Sequence, residues 1–453
     1  MRPPPATPWR GLLAIGLFAW LLRVAFVFAV VSIHDADALL RLNYDSTEYH
    51  KLALQLAAGE GYGVGGTEMN VVGLVRVPAY PALLAALLAI SPAKAAVATL
   101  FLLQATLDAA LALLAGLLAW RLWRLRWPAY VAATLLALSA TGIGLSAAAL
   151  TDGPFAFLLT VALLLMLRAA ASSKAWPAVA CGLIFALATL TKPTPQLWLL
   201  ALPLAWWLAT RRSQVPWRRS GRNLAVCLAC FAAPLLAWAS ANWARHDVFA
   251  VSVVSERNLR YMIGPETEVR GWGHTRGVEW RTEARYFQLG HRDLWWMTLP
   301  DVDAAELVRR QRSYARDVIG KYPRSAAKVY GKNLERNVVG TWDILVNQLP
   351  PGRTPRWAEL VYEPIFLLES PKVVRWAVLI VACGWPTVAL ATSRNARRRQ
   401  AAGRSLAVLL LVLYLVLTAA TTHGQGSRIL YPAYPLLFAL LAGWATLLPR
   451  RRR

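Results

Sequence analysis

Residues 80 to 91 read YPALLAALLAIS, an apolar run of about a dozen residues held between Pro81 and Pro92. Whether it crosses a bilayer decides the topology of everything after it. A hydrocarbon core of about 30 Å needs roughly 20 helical residues, so this run is too short to span. If it did cross, the basic segment RLWRLR (121 to 126) would face outside, against the tendency of Lys and Arg to stay on the cytoplasmic side. The run is therefore expected to be an interfacial helix on the outer surface.

Working outward, longer apolar runs recur along the chain. Of 453 residues, 57% are hydrophobic and 16% charged, which marks a polytopic, all-α membrane protein. Spans are predicted at about 10 to 31, 94 to 120, 128 to 148, 153 to 168, 176 to 191, 196 to 210, 223 to 244, 373 to 393, 405 to 421 and 432 to 449, ten in all. Lys and Arg outnumber Asp and Glu by 49 to 24. The excess lies in RLWRLR, RRSQVPWRRSGR (211 to 222), RNARRRQAAGR (394 to 404) and RRRR (450 to 453), between or after the spans. That distribution is a topology signal and excludes a nucleic-acid face. It puts both termini in the cytoplasm. The first run ends at SIHDADALL without a small-residue cleavage pattern, so it is expected to remain as a span.

Three parts follow: a membrane module of residues 1–244 containing a first outer loop (32–93), an outer region of 245–372, and further membrane helices in 373–453. Helical patterns are expected near DVDAAELVRRQRSYARDVIGKY and PRSAAKVYGKNLERNVV in the outer region. All four cysteines fall in apolar runs. Cys227 and Cys230 form a C-x-x-C with no second ligand pair, so small buried side chains are the better reading than a metal site.

NYDSTEYHKLALQLAAGEGYG (43 to 63) has two readings. Asp45 and Glu48 are spaced as a capping box before a helical pattern. They also stand where the chain leaves the membrane, as carboxylates of an interfacial active site would. GYGVGG (61 to 66) reads as a turn, because it follows a helix and no phosphate-loop signature accompanies it. Arg76, Lys192 and Arg428 lie at outer helix ends. Each alone suits a snorkelling residue; together they suit a phosphate, for which Arg offers a fork and Lys a point charge. Arg23 and Asp108 sit near mid-depth, where charges are costly, and are expected to pair. The six histidines form no compact ligand set, and only His423 lies in a suggestive place, near Arg428.

The segments YDSTEYHKLALQLAAGEGYG, RVPAYPALLAALLAI, ALTDGPFAFLLTVALLLMLR, ALATLTKPTPQLWLLALP and GSRILYPAYPLLFALLAG resemble, in order, the landmarks of family 39 glycosyltransferases. That family includes bacterial relatives of protein O-mannosyltransferases and of the lipid A aminoarabinose transferase. The resemblance implies a GT-C helical bundle in a bacterial inner membrane, with a polyprenyl-phosphate sugar as donor and a glycan, lipid or protein as acceptor. It implies Asp45 as the catalytic acid residue, with Glu48 beside it, and Arg76, Lys192 and Arg428 at the donor phosphate. Tyr49, Tyr80, Asp152 and His423 would line the site. The more familiar adjacent Asp-Glu pair is absent, since Ser46 follows Asp45, and PAYP replaces the usual P-G-Y-P. No cofactor is implied with certainty, and a divalent metal is compatible. The alternative is a transporter or flippase of a lipid-linked glycan. Against it, no repeated halves or broken mid-membrane helices are visible in the sequence.

Overall fold

The computed structural model describes residues 7–41, 43–211, 215–271, 303–339, 384, 396–422 and 426–443. In chain order the helices are α1 (Trp9–Ile33), α2 (Ala36–Arg41), α3 (Tyr44–Ala57), α4 (Thr67–Val75), α5 (Ala79–Ile90), α6 (Ala93–Trp123), α7 (Arg126–Ala137), α8 (Ala140–Ser146), α9 (Asp152–Ala170) and α10 (Trp176–Thr191). They continue with α11 (Trp198–Thr210), α12 (Trp217–His246), α13 (Val254–Asn258), α14 (Gly264–Gly271), α15 (Ala304–Lys321), α16 (Pro323–Val339), α17 (Ala396–Ala419), α18 (Gly426–Leu430) and α19 (Tyr434–Leu441). Among the described residues there is no β-strand.

Five of these helices are long and apolar enough to cross a membrane, and seven spans result if each bent pair counts as one. The outer faces stay apolar: Leu13, Leu17, Leu21 and Phe28 of α1 and Leu200 of α11 are all exposed. A helix apolar all round needs lipid or protein on every side. The chain is an all-α polytopic membrane protein. Among the described residues, helices overlap the predicted spans; of 373–393 only residue 384 is described, and the last span is described to residue 443.

The stretch that opened the argument is helical from Ala79 to Ile90. At a rise of ~1.5 Å per residue it is only about 18 Å long. It meets the preceding helix at a 113° bend, and buries Tyr80, Pro81, Leu84 and Ala85. The predicted span 128–148 is corrected to two helices, α7 and α8, bent by 55°. Ser139 causes the restart: it is the N-cap of α8, and its hydroxyl accepts from the Gly142 N–H at 3.2 Å.

At the break Arg23 donates to the carbonyls of Leu136 and Ala137 at 3.0 and 2.9 Å, and Leu136 also accepts from the Ser139 N–H at 3.2 Å. The same guanidinium pairs with Asp108, as expected, and Tyr431 donates to that carboxylate. A Cβ on Gly142 would lie 2.6 Å from the Tyr431 hydroxyl and 3.0 Å from Asp108 Oδ2, so only glycine leaves room here. This network ties α1, α6, the end of α7 and the turn before α19 together inside the bundle.

Small residues also set the approach of α10 and α12. A Cβ on Gly182 would stand 2.7 Å from Cys230 Cβ and 3.0 Å from the Phe231 nitrogen. Cys181 and Cys227 are buried, and Cys230 is partly so, in keeping with packing by small side chains. Cys383 lies outside the described residues. The two outer helical patterns appear as α15 and α16. Part of α15 shares a third apolar cluster with α4 and with Val248 and Val253, so the two polar regions meet.

Candidate active site

The capping-box expectation is overturned. Helix α3 starts at Tyr44, its N-cap is Asn43, and no side chain makes the cap bond. Asp45 is thus the second helical residue. Asp45, Glu48 and Tyr49 fall on one face by their i, i+3, i+4 spacing, and that face turns toward α4 and α18.

Arg76 follows the last residue of α4 in extended conformation. The terminal carbonyls of that helix need partners from elsewhere. The Val253 N–H donates to Leu74 at 3.0 Å, Ser252 Oγ to Val75 at 2.6 Å, and the Tyr62 hydroxyl to Arg76 itself at 2.9 Å. The GYGVGG turn, found as expected, brings Tyr62 there. Gly63 has a φ of +64°, and a Cβ on it would meet Gly73 Cα at 2.6 Å. Arg76 is therefore fixed at its backbone before its side chain is considered.

That side chain reaches both acids of α3. Its Nη2 bonds Asp45 Oδ1, and its Nε donates to Glu48 Oε2 at 2.6 Å. The guanidinium also stands 5.0 Å over the Tyr49 ring. The other Asp45 oxygen accepts from Arg428 Nη2. Arg428 Nε donates to Asp152 Oδ2 at 3.1 Å, and Lys192 Nζ lies 2.5 Å from Asp152 Oδ1. Lys192 ends α10 because Pro193 follows, which favours extended backbone at the residue before it. Asp152 is the first residue of α9, where the helix dipole favours a negative charge.

Arg257 completes the set from the second polar region. Its Nη1 is 3.1 Å from Glu48 Oε1. Among the described residues, four cations (Arg76, Lys192, Arg257, Arg428) thus meet three carboxylates (Asp45, Glu48, Asp152), an excess of one positive charge. Burial pushes the Asp45 carboxyl up, but the charges of Arg76 and Arg428 outweigh it and hold it well below the ordinary carboxylate value. Burial keeps the Tyr49 hydroxyl up and protonated.

These groups border a cavity of about 650 Å³. Asp45, Tyr49, Arg76, Lys192, Arg257 and Arg428 stand on its wall, while Phe155, Leu197, Met262, Tyr414 and Ile429 make the wall opposite in character. Glu48, 3% exposed, and Asp152, fully buried, stand behind their cations rather than on the wall. Tyr80 does not reach the wall, contrary to expectation. It packs edge-on to Tyr49, with centroids 5.1 Å apart, and donates to Gln104 at 2.7 Å. His423 lies outside the described residues. Among the described residues no group of three or more His, Cys, Asp or Glu converges as a metal ligand set.

The expected cations Arg76, Lys192 and Arg428 are brought together, and Arg257 was missed. It is one arginine among many in an Arg-rich region, and no local pattern singles it out.

No family model matches the chain. No curated protein matches it. Among solved structures, the crystal structure of ArnT from Cupriavidus metallidurans bound to undecaprenyl phosphate is similar, with a TM-score of 0.40 and 15% identity, over 98% of this chain and 79% of that one.

Proposed function

We propose that the protein is a membrane glycosyltransferase of GT-C type, which moves a sugar from a polyprenyl-phosphate donor to an acceptor hydroxyl on the outer face of the membrane. One observation carries this reading: a single cavity with a cationic wall, an apolar wall and a carboxylate held between two guanidiniums. The cations suit a phosphate, the apolar wall suits the lipid behind it, and the carboxylate suits proton transfer. The motif order in the sequence supports the same reading.

Asp45 acts as general base. It takes the proton of the acceptor hydroxyl as that oxygen attacks the anomeric carbon. The bond from the anomeric carbon to the phosphate oxygen breaks, and its electron pair leaves with the lipid phosphate. The added negative charge is stabilised by Arg76 and Arg428, with Lys192 and Arg257 alongside. The donor phosphate competes with Asp45 for the two guanidiniums, so its arrival raises the basicity of a carboxylate that is otherwise too well paired. Glu48 and Asp152 hold the cations in place, and backside attack would invert the anomeric centre.

The purified protein should release polyprenyl phosphate from a labelled polyprenyl-phosphate sugar, and Asp45→Asn should stop it. A panel of such donors consumed equally by wild type and Asp45→Asn, or not at all by either, would remove the assignment.

A further inference from the structure

A second concave site lies at the far end of the bundle. Arg121 and Arg124 at the end of α6, Arg168 near the end of α9 and Arg404 of α17 border a cleft of about 330 Å³, with Ser172 beside them. Arg168 is 16 residues beyond Asp152 on the same helix, about 24 Å at ~1.5 Å per residue. The cleft is therefore most of a bilayer core away from the cavity that holds Asp45.

Its charge is not balanced from within. From residue 109 to 246 the only acid in the sequence is Asp152, and from 370 to 453 there is none. Two of the guanidiniums lean on aromatic rings instead: Arg124 lies 4.6 Å over Trp120, and Arg168 lies 4.4 Å over Trp176. Among the described residues, Arg121 makes one long contact, to the Leu164 carbonyl at 3.4 Å. Basic loops on one side of a membrane are common, but loop arginines facing water separate from one another. Here three helices turn four of them toward one hollow, and like charges gathered so call for an anion between them.

We propose that this cleft binds a phosphate group presented at that membrane face, as the headgroup of an acidic phospholipid or as a soluble phosphate. Planar guanidiniums match phosphate oxygens two at a time, and basic pockets between membrane helices favour such headgroups. The tryptophans place the cleft at headgroup level.

The test uses the full chain in phosphatidylcholine nanodiscs, with three conditions: no addition, phosphatidylglycerol mixed into the disc, and inorganic pyrophosphate at matched ionic strength. The thermal midpoint should rise with added phosphate group, and the condition that raises it names the source. In the double variant Arg121→Gln/Arg404→Gln the apparent affinity should fall about tenfold or more, while Arg404→Gln alone should lose less. The midpoint of each variant in plain phosphatidylcholine checks its fold. Arg218→Gln/Arg219→Gln, at the start of α12 and outside the cleft, should respond as wild type does. A double variant that responds like wild type, a control pair that loses the response equally, or a wild type indifferent to both additions would overturn the proposal.

Discussion

Arg257 stands 3.1 Å from Glu48, so a residue of the second polar region holds an acid of the first. Glu48 in turn holds Arg76. A contact 209 residues apart in sequence thus bears on how a cation faces the cavity.

This makes Glu48→Gln a test of positioning against chemistry. Gln keeps the hydrogen bond to Arg76 but loses the charge, and charge-assisted bonds are about twice as strong as neutral ones. Activity should fall about tenfold or less, with the larger change in donor KM. A loss in kcat as deep as that of Asp45→Asn would give Glu48 a part in the reaction itself.

For Asp45→Asn, a folded and inserted protein with activity reduced about a hundredfold or more is expected, because an amide cannot take the proton. Since α3 is not capped by Asp45, helix loss cannot explain that result. Far-UV circular dichroism beside the transfer assay separates the two. Transfer near the wild-type rate would leave Asp45 with only an ion-pairing role.

Arg428 binds two carboxylates, on Asp45 and Asp152, through different nitrogens. A lysine in its place has a single nitrogen to offer. Arg428→Lys should therefore lie between wild type and Arg428→Ala in kcat/KM, and Arg76→Lys should behave alike. Lysine variants indistinguishable from alanine would mean that the fork, not the charge, is what counts.

The pH dependence carries a definite sign. Asp45 is held below its unfolded value, so its stabilising pairing is complete above the unfolded value and is lost as pH falls through the folded one. In the free protein it stays ionised, and kcat/KM should show no acid limb from Asp45 above about pH 4. The donor phosphate draws the guanidiniums away, so the limb in kcat should sit at higher pH than that in kcat/KM. Coincident limbs in the two profiles would refute that competition.

Inside the bundle, Arg23→Ala leaves Asp108 buried without its cation and takes a donor from two helix-end carbonyls. Breaking such a pair costs about 3–5 kcal/mol. Gly142→Ala should also destabilise, because its methyl would press on the same groups. Both are checked by the thermal midpoint in detergent; an unchanged midpoint for Arg23→Ala would show the pair to be dispensable.

Much of the fold was legible because lipid demands long apolar runs, and the Arg23–Asp108 pair because isolated charges there are costly. The convergence of Arg76, Lys192 and Arg428 could be anticipated from their places at helix ends beside prolines and turns. The break at Ser139 could not, since the apolar run continues through it and a lone serine is ordinary in a helix. The capping-box spacing misleads because the N-cap falls at Asn43, two positions before Asp45, a difference no spacing rule resolves. Arg257 stayed hidden because its role comes from a long-range contact.

The pairing of Asp45 with Arg428 also has a consequence in time. The two residues are 383 positions apart. At typical rates of protein synthesis, roughly 20 to 75 s separate their emergence from the ribosome. Arg257 follows Asp45 by 212 residues and Arg428 by 383, so on the proposed function a nascent chain would carry the base before its phosphate cradle is complete. On that reading, activity would appear only once the late helices have docked.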